Sequence, residues 1–371
     1  MSANVPLAGV EELRHLKVAI VHDWLTGMRG GERCLEVFCE LLPHAHLHTL
    51  FHFRGEVSQA IERLPIHTSF LQRLPGLRHW HRHLLPLFPA AVASFKLAHY
   101  DLIVSLSHCV AKAAGHGTGI PHLSYCFTPM RYVWDQESVY FNRERCRPPA
   151  LLAIRAVLRW LRKWDAAKHP HHYIAISRTV AERIRRAYGR ESDVIHPPVD
   201  ISRFLPRPTH EDFYLIVSAL APYKRIELAV EAMNKLARPL VIVGRGEEER
   251  RLERLAGPTV SLLGWRSDRK VAELMARCRA FLLPGEEDFG IAPLEAMASG
   301  RPVVALGRGG ATETVVDLRR PEDGAPTGLL FHEPTPAALI EAILELERRE
   351  GEFDPAQIGR ASCRERVYVL V

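Results

Sequence analysis

The stretch from Phe281 to Leu306, "FLLPGEEDFGIAPLEAMASGRPVVAL", decides the fold. Ala280 to Leu283 reads as a short buried strand that Pro284 stops. Pro293 suits the first turn of a helix, where its missing N–H is harmless, and Leu294 to Ala298 continues that helix to a stop at Gly300. Arg301 to Leu306 reads as the next strand. A strand–loop–helix–strand unit favours a parallel sheet. Its loop lies at the carboxyl end of a strand and at a helix N-terminus, where backbone N–H groups and the positive dipole end suit an anion. Glu287 precedes the helix and Glu295 lies in its first turns. Carboxylates accept the hydrogen bonds that sugar hydroxyls donate. Two of them flanking an anion site fit a molecule with phosphates in the middle and hydroxyls at both ends, the layout of a nucleotide-sugar. Glu286 and Asp288 are read as acids that merely complement the dipole.

Working outward, the same alternation recurs. Phe213 to Ala219 is a strand, Ile226–Leu236 an amphipathic helix, and Leu240 to Val243 a strand ending in Gly244-Arg245-Gly246. Thr259 to Leu263 ends at Gly264-Trp265, and Asp268–Cys278 is a helix. Nearer the N-terminus, Lys17 to His22 is an apolar strand, followed by a glycine-rich turn with Gly30 and Gly31 and a helix from about Arg33 to Leu42. That turn could let backbone approach a phosphate, or be a plain tight turn. Leu102 to Ser107 is a strand ending at His108, and Pro121 to Tyr125 is another. Tyr173 to Ile176 leads to Ser177, an N-cap for a helix over Thr179–Tyr188, and Val194 to Asp200 is a strand with a proline-rich exit. The fold class is therefore α/β, with two doubly wound domains over residues 1–205 and 206–357.

A chain of 371 residues, 25% charged and 47% hydrophobic, has the composition of a globular protein. Its net charge of +6 and pI near 9.0 point to anionic partners. No nucleic-acid-binding motif is present, so nucleic acid is not expected as a partner. There is no signal-peptide pattern and no run of ~18 apolar residues. Seven cysteines without a CxxC pair suggest reduced thiols and a cytoplasmic location.

The segment Glu287-x-Phe289-Gly290-x-x-Pro293-x-Glu295, followed by Ala-Met-Ala-Ser-Gly-x-Pro-Val-Val, resembles the E-x7-E signature of the family 4 retaining glycosyltransferases. The resemblance covers roughly residues 17 to 357. It implies the GT-B architecture, two Rossmann-like domains facing across a cleft. Ser218 to Arg225 resembles the strand-end segment whose basic side chains meet the donor pyrophosphate, so Lys224 and Arg225 are the expected cations. Gly244 and Gly246 match the family's Gly-x-Gly turn, Leu263 ends the strand whose backbone contacts the base, and Gly30-Gly31 match its N-terminal phosphate loop. The resemblance implies donor contacts from Phe289, Gly290, Ile291, Ala292 and Glu295, with Glu287, His108 and Lys224 at the chemistry. No D-x-D stretch occurs, so no metal is expected at the donor, and no cofactor. Tyr125 to Asp135 and Ala219 to Arg225 look like the mannosyltransferase branch that builds O-antigen and exopolysaccharide repeats. That likeness implies transfer of mannose from GDP-mannose, with retention, to a lipid-linked saccharide acceptor. The alternatives are a UDP-sugar donor or a catalytically inactive GT-B binding protein.

Three further segments carry expectations. His44, His46 and His48 alternate and are read, with His52, as a polar strand face rather than a metal site. Residues 78–89 mix Arg, His, Trp and Leu and are expected to touch a membrane peripherally. From Ile358 the chain reads as a translated sequencing-adapter fragment without helical periodicity, so residues 358–371 are expected to be non-native and the second domain truncated.

Overall fold

The computed structural model describes residues 13–141, 148–320, 322 and 324–364. The chain divides into two compact units, one ending at Pro197 and the other beginning at Pro198. Every strand pair in both is parallel.

The first unit holds β1 (Val18–His22), β2 (His46–Thr49), β3 (Ile66–Thr68), β4 (Leu102–Ser107), β5 (His122–Cys126), β6 (His172–Ala175) and β7 (Asp193–Val194). Their spatial order is β3-β2-β1-β4-β5-β6-β7. All residues of β1 and β4 are buried, as expected for central strands of a sheet covered on both faces. The longer helices here are α1 (Gly30–Leu41), α2 (Pro148–Ala166) and α3 (Arg178–Tyr188). The Ser177 hydroxyl accepts the Val180 N–H at 3.1 Å and so caps α3. α1 begins earlier than its sequence suggests: Gly30 and Gly31 are its first two residues and not a turn before it. Glycine disfavours helix interiors, but at the first turn a hydrogen bond from the Arg29 N–H to the Glu32 carboxylate (3.1 Å) holds the start. The strand expected over Val194 to Asp200 shortens to β7, since Pro197 and Pro198 have no N–H for a ladder.

The second unit holds β8 (Tyr214–Val217), β9 (Leu240–Val243), β10 (Val260–Gly264), β11 (Ala280–Leu283), β12 (Val303–Leu306) and β13 (Gly328–Phe331), in the order β10-β9-β8-β11-β12-β13. Around it lie α4 (Ile226–Leu236), α5 (Asp268–Arg277), α6 (Ile291–Ala298), α7 (Pro336–Arg348) and α8 (Pro355–Arg364). Arg301 is buried, and its guanidinium donates to the carbonyls of Ala276 (3.2 Å), Arg207 (2.8 Å) and Thr209 (2.6 Å). It thereby pins the segment that leads into this unit. Ile358 to Arg364, expected to lack helical periodicity, lie in α8, which packs on α6 with Ile358 fully buried. Residues 365–371 lie outside the described residues.

Each sheet reverses its strand order once, between β1 and β4 in the first and between β8 and β11 in the second. In open α/β sheets, ligands bind at the carboxyl ends of the strands beside such a reversal.

Candidate functional site

In the second unit, β8 runs into the loop Ser218–Ala221, a single 3-10 turn Pro222–Lys224, and then α4. Arg225 takes a left-handed conformation, φ +52°, and caps α4. Across the strand reversal, β11 runs into the loop Pro284–Gly290 and then α6. The Lys224 ammonium and the Glu287 carboxylate meet in a close ion pair, with 13% and 16% of their side chains exposed. Both side chains keep a solvent-exposed edge, so an anion can reach the lysine and compete with the carboxylate for it. Gly285 makes the approach of the two loops possible, because a Cβ there would lie 2.6 Å from the Lys224 carbonyl oxygen. From the next strand, the Gly310 N–H donates to the Glu287 carbonyl at 2.8 Å and fixes the acid's backbone. Phe289 is buried, Gly290 caps α6, Ile291 and Ala292 form its first turn, and Glu295 follows half-buried. The first N–H groups of a helix lack intrahelical partners, so this end attracts anions.

Gly244 and Gly246 lie at the end of β9 and interlace with the β8 loop. Ser218 donates its N–H to Val243, and Leu220 to Arg245, each at 3.0 Å. Gly244 sits at φ +140°, and a Cβ there would fall 1.8 Å from the Ser218 oxygen. This glycine is therefore required by loop-on-loop packing, whatever else it serves. Gly264, just after Leu263, accepts the Gly244 N–H at 2.9 Å. The structure thus links Lys224, Glu287, Gly244, Gly246 and Leu263 through adjoining loops at the carboxyl edge of one sheet. Arg225 turns to Glu227, at 2.8 Å.

The first unit carries its own polar knot at its strand reversal. Asp23, directly after β1, is completely buried. Its carboxylate accepts four backbone N–H groups, from His108 (2.7 Å), Cys109 (2.9 Å), Val110 (2.7 Å) and Ala111 (2.8 Å), all just beyond β4. The His108 ring nitrogen Nδ1 also lies 3.2 Å from Asp23, and Trp24 meets the ring edge-on at 4.4 Å. Burial pulls the His108 pKa below its ordinary range, although Asp23 acts the other way. Glu32 is buried in α1, 3.9 Å from His22. Burial would raise its pKa, yet His22 and His108 beside it bring it below the usual carboxylate range. Gly30 and Gly31 open α1 at this edge. Sequence reasoning missed Asp23; its signal was an acid directly after a fully buried strand, Val18–His22.

Elsewhere, His46 and His48 gather with His67 and Tyr100: the Tyr100 hydroxyl is 3.0 Å from His48 and 2.8 Å from His46. His48 is buried, so this part of the strand turns inward. His52 pairs with Glu62 at 2.9 Å. Among the described residues no group of three or more His, Cys, Asp or Glu is arranged to hold a metal. The segment 78–89 packs inward more than its composition suggested. Leu84 and Phe88 are core residues, the Trp80 indole donates to the Pro75 carbonyl (2.9 Å), and Arg78 pairs with Glu56 (2.9 Å). Among the described residues no helix is long and apolar enough to cross a membrane.

Comparison with known proteins agrees with this architecture. The fold matches Anabaena Alr3699/HepE in complex with UDP and glucose, with a TM-score of 0.69 over 96% of each chain at 19% identity. It matches the sucrose-phosphate synthase of Thermosynechococcus elongatus with a TM-score of 0.67, over 93% of this chain and 94% of that one, at 18% identity. The fold is GT-B, two Rossmann-like domains built on parallel sheets. Residues 28–203 match the family described as Glycosyltransferase Family 4, and residues 200–363 the one described as Glycosyl transferases group 1. Together with mannosyltransferases among the relatives, these matches support a family 4 glycosyltransferase. One relative is the GDP-mannose-dependent alpha-mannosyltransferase of Mycobacterium tuberculosis, 32% identical over 44% of this chain and 46% of its own. Another is the O-antigen chain mannosyltransferase RfbU of Salmonella typhimurium, 27% identical over 38% of this chain and 43% of its own. The chain spans about half the length of the first curated relatives it matches.

Proposed function

We propose that the chain is a retaining glycosyltransferase that moves mannose from GDP-mannose to a lipid-linked saccharide acceptor in surface polysaccharide synthesis. The observation that carries this reading is the Lys224–Glu287 pair, held between two loops at the strand reversal of the second sheet and beside the start of α6. The donor diphosphate takes Lys224 from Glu287 and rests on the first N–H groups of α6. Glu287 and Glu295 are then left to accept hydrogen bonds from donor hydroxyls.

In the reaction the bond from the anomeric carbon to the diphosphate breaks, and the acceptor oxygen bonds that carbon on the same face. The acceptor proton leaves to a phosphate oxygen. Charge grows on the departing diphosphate, and Lys224 with the helix N–H groups stabilises it there. His108, held by Asp23, is assigned to the sugar. The mannosyltransferase relatives support the donor choice, and the HepE complex keeps a UDP-sugar as the alternative.

The test is release of nucleoside diphosphate when the protein is incubated with GDP-mannose and membrane extract. Glu295→Ala is expected to weaken donor binding by ~1–3 kcal/mol, the cost of lost charge-assisted hydrogen bonds. Turnover of UDP-sugars with no response to GDP-mannose would overturn the donor assignment.

A further inference from the structure

The helix α2 has two faces that differ in kind. Its inner face is anchored. Leu151, Leu158 and Leu161 are buried, and the fully buried Asp165 accepts from the Trp134 indole and the Tyr188 hydroxyl, both at 2.8 Å. Lys112, also buried, lies 3.1 Å from the same carboxylate. A helix fixed this firmly presents its other side as a rigid surface.

That outer side carries Leu152, Arg155, Ala156, Arg159, Trp160 and Lys163, the spacing of one helical stripe. All are exposed, Leu152 at 67% and Trp160 at 50%. From Pro148 to Trp164 the helix contains no acid. Among the described residues, none of Arg155, Arg159 and Lys163 is paired with a carboxylate. Arginines elsewhere on the surface commonly are: exposed Arg185 holds Glu191 at 3.0 Å, and half-buried Arg277 and Arg349 hold Glu211 at 2.6 Å and Glu352 at 2.7 Å. The α2 face thus combines an uncompensated positive stripe with two large exposed apolar side chains.

We infer that the outer face of α2 docks the protein on an anionic lipid surface. Both parts of the surface match such a partner. The arginines and lysine meet lipid phosphates, while Trp160 and Leu152 enter the headgroup boundary, where an indole is favoured. An acidic protein would match the charge but gives no reason for Leu152 and Trp160 to stay uncovered beside it. None of these side chains belongs to residues 78–89, whose Leu84 and Phe88 are core residues. The inference rests on the proposed function only for its purpose, which is to bring the enzyme to a lipid-linked acceptor; its evidence is the helix alone.

The test is flotation of the full chain with vesicles of phosphatidylcholine, and of phosphatidylcholine mixed with phosphatidylglycerol. Association is expected only with the mixed vesicles, and added salt should weaken it. Arg155→Gln/Arg159→Gln/Lys163→Gln and Leu152→Ser/Trp160→Ser should each lower vesicle affinity by roughly tenfold or more. Leu87→Ser, in the alternative segment, should leave it unchanged. All six positions are exposed, so unaltered circular dichroism and melting are expected for the three variants. Absence of flotation by the wild-type chain, or equal flotation by both α2 variants, would overturn the inference. Nucleotide-sugar binding without vesicles is measured on the same proteins. Its loss in the wild type would count against the proposed function and leave the docking surface standing.

Discussion

The two sheets reverse strand order at equivalent places, and each sets a pair of ionisable groups there, but the pairs differ in kind. In the first unit Asp23 is completely buried and spends its carboxylate on four backbone N–H groups, with His108 beside it. In the second, Lys224 and Glu287 are half-buried side chains joined in an ion pair. Topology supplies the location in both cases. The residue that follows the strand decides whether the location becomes a structural knot or a charge that a ligand can take over. The first pair should therefore fail by unfolding, and the second by losing a ligand.

The largest effect is expected from Asp23→Ala. It strips acceptors from four N–H groups just beyond β4, three of them on buried residues, and should cost about 3–5 kcal/mol in a denaturant melt of the first unit. A cost under about 1 kcal/mol would mean that the carboxylate is not the clamp described. Next comes Gly244→Ala. The new Cβ would meet the Ser218 oxygen at 1.8 Å in a backbone conformation only glycine adopts easily. A loss of about 2–4 kcal/mol is expected, confined to the second unit.

A smaller effect separates the units by pH. In the native chain burial holds the His48 pKa down at about 3, with His67, His46 and His99 adding repulsion; its ordinary value is 6.5. Tyr100 and Phe95 also pack against its ring. Between those two values the unfolded chain binds the extra proton. Stability is therefore full above the unfolded pKa and falls as pH drops below it, by about 2 kcal/mol for His48 near pH 5. His122, likewise held at about 3 by burial, adds to the same trend. Calorimetry should show the first unit's transition moving down in acid ahead of the second's.

Much of this organisation is legible in the sequence because it is local. Pro284, Pro293 and Gly300 bracket an apolar strand and a helix, and the structure places β11, α6 and β12 there. The range Ile226–Leu236 agrees with α4 at both ends. What could not be read depends on distant chain. Asp23 meets amides from residue 108 onward, and no local pattern announces that partnership. Gly30 and Gly31 look like a turn because glycine is a poor helix former, yet Arg29 and Glu32 hold them at a helix start. The Trp80 segment has a membrane-like composition, and the inward packing of its Leu84 and Phe88 beside exposed Leu87 could not be read from it. The sequence reading also left out α2, although Leu151, Leu158 and Leu161 stand at helical spacing with charge on the opposite side.

The central claim is that Lys224 and Glu287 mark a nucleoside diphosphate-sugar site in the second unit. Titration calorimetry of the wild-type chain and of Lys224→Ala with GDP-mannose tests it most directly. The wild type is expected to bind, and Lys224→Ala to bind on the order of tenfold to a hundredfold more weakly, the loss of a charged hydrogen bond worth ~1.5–3 kcal/mol, while its melting temperature hardly moves. Equal affinity in the two proteins, or a melting transition that collapses along with binding, would contradict it.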